Sequence, residues 1–242
     1  MTMSDDFIDT IKSHGYWRIN FQPTGKPAGL TLKECDELVD KNSVRLRGWY
    51  YPFYGHGSAD NHGISNFNNY CGGWIDAGEF KEFWRMYQSG QFLHYSAVQE
   101  DWLTPETASL RRNPNEIEPG KYLNFVGSLT MYITEIMEFL ARLHRSGLYK
   151  EGVTVNISLH NTKGRQLKSF EGLRHLSTVR QAQEDTIVFE RTYTPADLAQ
   201  PARDLAIEPI VRYFELFNFA DISVDQVIKK DQDQLYGYNP NG

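Results

Sequence analysis

Cysteine is nearly absent. Cys35 and Cys71 are two sulfurs in 242 residues, too few for a disulfide framework or a zinc site built from cysteines. They read as reduced thiols of a cytoplasmic protein. No apolar run approaches the ~20 residues that cross a bilayer. The start, MTMSDDFIDT, lacks the basic and apolar regions of a signal peptide. These absences give the expectation of a soluble, intracellular protein with no membrane partner. Basic charge is not in excess either: Lys+Arg 25 against Asp+Glu 31 leaves a net charge of −6. Neither half of the chain is basic, so nonspecific phosphate binding is not favoured, and nucleic acid would need a local basic groove. The phosphate loop G-x4-G-K-[ST] and the motifs G-x-G-x-x-G, G-x-S-x-G, H-E-x-x-H and C-x-x-C are missing. Their absence removes the easily recognised enzyme classes without excluding catalysis.

What is present is aromatic. The stretch Glu79 to Trp102, EFKEFWRMYQSGQFLHYSAVQEDW, reads as a β-hairpin turning at Ser89-Gly90. A two-residue turn there sets Tyr87 opposite Phe92, Arg85 opposite His94 and Trp84 opposite Tyr95. Alternation along the strands then predicts a core face of Trp84, Met86, Leu93, Tyr95 and Ala97. The other face carries Phe83, Arg85, Tyr87, Phe92, His94 and Ser96. It is aromatic but polar-tipped, which suits a wet interface or a ligand; a second packing layer is the plainer alternative.

Around this hairpin the chain reads as follows. Asp5 to His14 is a short amphipathic helix ended by Gly15. Tyr16 to Phe21 alternates as a half-buried strand. Thr31 and Glu34 form a capping box that opens a helix running to Asn42. Val44 to Tyr54 begins as a strand, with Gly48 suggesting a bulge and Pro52 its end. A polar loop, Gly55 to Gly63, and a strand from Ser65 to Asp76 lead into the hairpin. Residues 103–120, with three prolines, read as a linker or crossover. Tyr122 to Ser146 is the strongest helical pattern. Strands follow at Val153 to Leu159 and Thr186 to Tyr193, then a proline-interrupted helix pair from Thr194 to Phe219. The expected fold is α+β, an antiparallel sheet with flanking helices. Its parts are a β-rich half (1–102), a linker (103–120), a second α+β half (121–230) with the long helix, strands and terminal helix pair, and a flexible tail (231–242).

Four constellations carry possible chemistry. Asp60, Glu79 and Lys81 loosely fit a metal-dependent nuclease or hydrolase site, two carboxylates holding a divalent cation and the lysine steadying the attacking hydroxide or the phosphate; exposed charges at a strand start explain them equally. His56, Asp60 and His62 supply three metal ligands of acceptable type in a glycine-rich loop, or an ordinary solvated loop. His160, Asn161, Lys163 and Arg165 follow a strand end and suit an anion, or a plain hairpin turn. Cys71 precedes Gly72 and Gly73, but no neighbour in sequence activates it.

Three blocks, Arg47-Gly48-Trp49-Tyr50-Tyr51-Pro52, Trp84 to Phe92, and Glu100-Asp101-Trp102, together resemble an uncharacterised bacterial module that accompanies Schlafen-like AlbA_2 nucleic-acid domains. The resemblance covers residues 16–102 and carries over no site residues; the AlbA_2 domain itself is not visible in the chain. It implies a bacterial cytoplasmic accessory or sensing protein, in a setting such as phage defence.

The leading expectation is a non-enzymatic binding, assembly or sensing subunit with no cofactor and a protein partner or second copy. Its binding face would consist of Arg85, Tyr87, Phe92 and His94, with Trp49 and Tyr51 beside them. The alternatives are the divalent-metal hydrolase above and a small-ligand sensor between the two halves.

Overall fold

The computed structural model describes residues 5–55, 59–104, 118–170 and 176–237. Its frame is a seven-stranded antiparallel sheet in the order β2-β3-β4-β5-β1-β7-β9. The strands are β1 (Tyr16–Pro23), β2 (His62–Asn66), β3 (Tyr70–Ala77), β4 (Phe80–Tyr87), β5 (Phe92–Ala97), β7 (Val153–His160) and β9 (Thr186–Tyr193). A small parallel pair is formed by β6 (Tyr122–Asn124) and β8 (Gln166–Lys168). The helices are α1 (Asp5–Lys12), α2 (Leu32–Asn42), α3 (Tyr132–Arg145), α4 (Pro195–Leu198), α5 (Ala202–Leu205), α6 (Ile207–Leu216) and α7 (Lys229–Gly237). The α+β class, with an antiparallel sheet and flanking helices, is as the sequence indicates.

Strand β1 explains why the sheet is continuous. It alternates Trp17, Ile19 and Phe21, all buried, with the polar Arg18 and Asn20, so one face must be covered while its edges stay free to pair. It pairs β5 on one side and β7 on the other. Strands from residues 1–102 and from residues 121–230 therefore share one sheet. The inner face continues through Val153, Val155, Ile157 and Leu159 of β7 and packs on α2, α3 and α6 in the main core. Residues 231–237, read above as flexible tail, lie within α7, with Leu235 buried.

Two other expectations are corrected. Val44 to Tyr54 is not a strand: Val44 and Tyr51 form an isolated antiparallel bridge about a turn, where Gly48 sits at φ 79°. The helix expected from Tyr122 begins ten residues later. Tyr122–Asn124 is taken by pairing with β8, and Phe125–Met131 is a π-helical segment capped by the Asn124 side chain. Hydrogen bonds from Arg47 to the Gly127 carbonyl and from Ser128 to Glu100 hold that segment.

The largest correction is the β4–β5 register. Met86 faces Phe92, Arg85 faces Leu93, Trp84 faces His94 and Phe83 faces Tyr95. The turn has three residues, Gln88-Ser89-Gly90. Tyr87 N–H donates to the Gln91 carbonyl and Gly90 N–H to the Tyr87 carbonyl, with Gly90 left-handed at φ 87°, the loop-plus-bulge arrangement of three-residue hairpins. The tip is also held from outside, because Ala28 and Leu30 N–H groups donate to the Ser89 and Gln88 carbonyls. One extra turn residue moves β5 by one, and a slip of one exchanges its faces. Phe92 and His94 point into the core; Leu93 and Tyr95 point out.

A buried ion pair closes the sheet at the other end of β1. Arg165 and Asp101 are each about 1% exposed in the side chain and meet through two bonds of 2.8 and 2.6 Å. The same carboxylate accepts the N–H groups of Gly15 and Gly120, both at 2.8 Å. Arg165→Met should strand a buried carboxylate and lower unfolding free energy by about 3–5 kcal/mol, measured by urea denaturation; a loss below about 1 kcal/mol would show that the pair is dispensable.

Candidate functional site

The corrected register divides the expected binding residues between the two faces of the sheet. Tyr51, Phe92 and His94 lie inside, beneath the helix layer, and Trp49 stands at its rim. Arg85 and Tyr87 lie on the opposite, outer face.

The inner group is a polar cluster in apolar surroundings. His94 is fully buried and shares a 2.8 Å bond between Nε2 and Glu82 Oε2. Trp49 Nε1 donates to the other Glu82 oxygen at 3.4 Å, with its ring stacked between Phe53 and Phe80 at 5.1 and 4.5 Å. Half-buried Arg47 donates to Glu135 Oε2 at 3.0 and 2.5 Å. Burial pushes the Glu135 carboxyl above the usual range, opposed by Arg47. Burial likewise raises the Tyr51 and Tyr132 hydroxyls, and the neighbouring Glu82 carboxylate adds to it. Tyr51 Oη and His94 Nδ1 are buried with no hydrogen-bond partner among the described residues. The open space between these groups is about 30 Å³, room for one water and not for an organic substrate.

The outer face is different. Helix α1 covers one corner, setting Phe7, Ile8 and Ile11 on Trp74, Phe83 and Ala97. Beyond it, Arg18, Asn20, Tyr70, Arg85, Tyr87, Leu93 and Tyr95 are half-buried on an open surface. The Arg85 guanidinium lies 4.7 Å from the Tyr70 ring centroid and 4.8 Å from that of Phe83, and donates to Tyr87 Oη at 3.5 Å. Lys12 stands over Tyr95 at 5.2 Å. Among the described residues no carboxylate lies within ion-pair distance of Arg18 or Arg85. At the edge of this patch Tyr16 stacks on His160, centroids 4.4 Å apart and planes at 7°. Burial, and next the nearby Arg18 charge, hold the His160 imidazole below its ordinary 6.5.

The remaining candidates are separate. Lys81 is bound to Asp76 and lies over the Trp102 ring at 4.7 Å. Glu79 occupies the β3–β4 turn and Asp60 is exposed in the turn before β2. His62 bonds Asn61 at 3.0 Å and packs on Phe53, and His56 lies outside the described residues. No group of three or more His, Cys, Asp or Glu suited to a metal occurs among the described residues. Arg165, read above as part of an anion-binding turn, is the buried partner of Asp101. Cys71 is buried against Asp36, 3.7 Å from Sγ; burial and then that carboxylate push its thiol up to about 12, and burial pushes Cys35 up to about 11.

Sequence reasoning missed Arg47, Glu82, Tyr132 and Glu135 in the inner cluster, and Arg18, Tyr70 and Tyr95 on the outer face. Glu82 carried a signal, since it alternates with Trp84 and Met86 and so shares their core face, where a carboxylate needs a partner. No protein-family model matches the chain, and no curated protein or solved structure is significantly similar to it.

Two outcomes test this geometry. Neither cysteine should react with Ellman's reagent in the native protein at mildly alkaline pH, and both should react in urea; rapid native labelling would contradict the burial. Because His160 has its folded pKa below the unfolded one, the unfolded chain binds the proton first. Stability should therefore fall as pH drops through 6.5. His160→Phe, which keeps the stack, should flatten the urea midpoint between neutral pH and about pH 5; an unchanged slope would assign the effect to other groups.

Proposed function

We propose that this chain is a non-enzymatic binding or assembly subunit that docks an acidic protein surface on the open outer face of its sheet. The observation that carries the reading is Arg18 and Arg85 standing among Tyr70, Tyr87 and Tyr95 with no carboxylate at ion-pair distance among the described residues. In a chain of net charge −6, uncompensated arginines on a half-buried sheet surface are placed where an incoming carboxylate would gain most. Tyrosine and arginine are also the residues that carry most energy at protein interfaces. Single-stranded nucleic acid uses similar aromatic and cationic surfaces, but the overall negative charge opposes it, so it is the outcome that would redirect the assignment. The resemblance of residues 16–102 to a Schlafen-associated module supports a bacterial cytoplasmic setting of the defence type.

The face differs from the one expected from sequence by exchange of Phe92 and His94 for Leu93 and Tyr95. The test is partner capture from native extract with the wild type, with Arg18→Glu, and with the Arg85→Ala plus Tyr87→Ala pair. Each variant should keep its melting temperature and bind the captured partner at least roughly 30-fold more weakly. Undiminished capture by the folded variants would remove the assignment.

A further inference from the structure

A second surface lies at the far edge of the sheet. Strand β9 pairs with β7 on one side and is the last strand of the sheet on the other. Beside this edge, unpaired among the described residues, runs a groove of about 660 Å³, bounded by Val188 to Glu190 and by the outward side of α6. Its floor on the inner side is apolar: Ile207 and Val211, one turn apart on α6, are half-buried; Val188, opposite Ser158 in register, is 45% exposed on the outer side of the strand. An eighth strand would lie in this place, its backbone pairing with β9 and its inward side chains resting on Ile207 and Val211.

The walls specify the occupant. Glu190, Asp204, Glu208 and Glu215 line the groove, with Arg212 as its one lining cation among the described residues. Arg212 is held by Glu215 at 3.1 Å, and Arg191 of β9 by Glu208. Acid remains in excess. Charged side chains along an edge strand guard against pairing with a second copy, and here two copies edge to edge would set like charges against each other. The same charges attract a basic segment.

We propose that the β9 edge is a strand-addition site for an extended partner segment alternating apolar and basic residues. The inward apolar side chains rest on the Ile207–Val211 floor and the outward basic ones meet Glu190, which faces outward beside Asn156; Glu208 and Glu215 add attraction at longer range, while main-chain bonds to β9 supply affinity and direction. This site adjoins the outer sheet face at Val188 and Glu190 but uses the β9 edge, and needs a partner of opposite charge.

The probe is a fluorescein-labelled peptide, Lys-Val-Lys-Val-Lys-Val-Lys, titrated by fluorescence anisotropy onto the full chain. Two controls separate strand pairing from simple charge attraction. One is the same peptide with alternate backbone amides N-methylated on the edge that would face β9, and then on the other edge. The other is the Glu190→Lys plus Glu215→Lys variant, whose melting temperature is checked first. Strand addition requires binding that falls at least tenfold for one N-methylated peptide and survives in the other, and that falls comparably in the charge variant. Equal loss or equal retention with both methylated peptides would overturn it, as would absence of binding by the parent peptide. Sedimentation showing a dimer broken by the charge variant would also overturn it, by assigning the edge to a second copy.

Discussion

The structure depends on the register of one hairpin. With Gly90 left-handed and three residues in the turn, β5 meets β4 so that His94 enters the sheet interior beside Trp84 and Leu93 leaves it beside Arg85. A slip by one residue would bury Leu93 and Tyr95 and expel Phe92 and His94. Phe92 is packed between Phe21 and Phe139, at 5.6 and 4.9 Å, and His94 is bonded to Glu82. The alternative would leave that carboxylate buried without its imidazole, a cost of several kcal/mol. The turn and the polar pair thus specify the same register from opposite ends of the hairpin.

That constraint organises both faces. Inside, the cost of burying Glu82 and Glu135 is met by His94, Trp49 and Arg47, and Arg47 also fastens the π-helical segment that leads into α3. Outside, the same alternation puts Arg85, Leu93, Tyr95 and Arg18 on one continuous surface. The β1 strand then carries that surface onto β7, and the Asp101–Arg165 pair fixes the chain where β1 begins. The partner-binding reading rests on a surface made by strand alternation rather than by any loop.

Much of the fold was legible in the residues. The alternation of Trp17, Ile19 and Phe21 marked β1, that of Val153 to Leu159 marked β7, and Thr31 with Glu34 marked the start of α2, where the side-chain and backbone bonds of the capping box both form. Thr194-Pro195-Ala196-Asp197 likewise opens a capped helix. What was not legible depends on distant partners. Ser89-Gly90 has the composition of a two-residue turn, and nothing local shows that Ala28 and Leu30 bind the tip from residues far away in sequence. Tyr122–Asn124 has helical periodicity, yet its backbone is claimed by Gln166–Lys168. Arg165 looks like a solvated turn residue until Asp101 is brought to it. For the candidate site the outcome was mixed: Arg85 and Tyr87 were placed by β4 alone, whereas Phe92 and His94 needed the turn geometry.

The measurement that tests the central claim most directly is the cross-strand Hα–Hα nuclear Overhauser pattern of β4 and β5 in isotopically labelled protein, since closely spaced residue pairs of an antiparallel ladder report register without mutation. The account predicts contacts between Met86 and Phe92 and between Trp84 and His94. Contacts between Tyr87 and Phe92 or between Arg85 and His94 would contradict it, returning Phe92 and His94 to the outer face and dissolving the surface on which the proposed function rests.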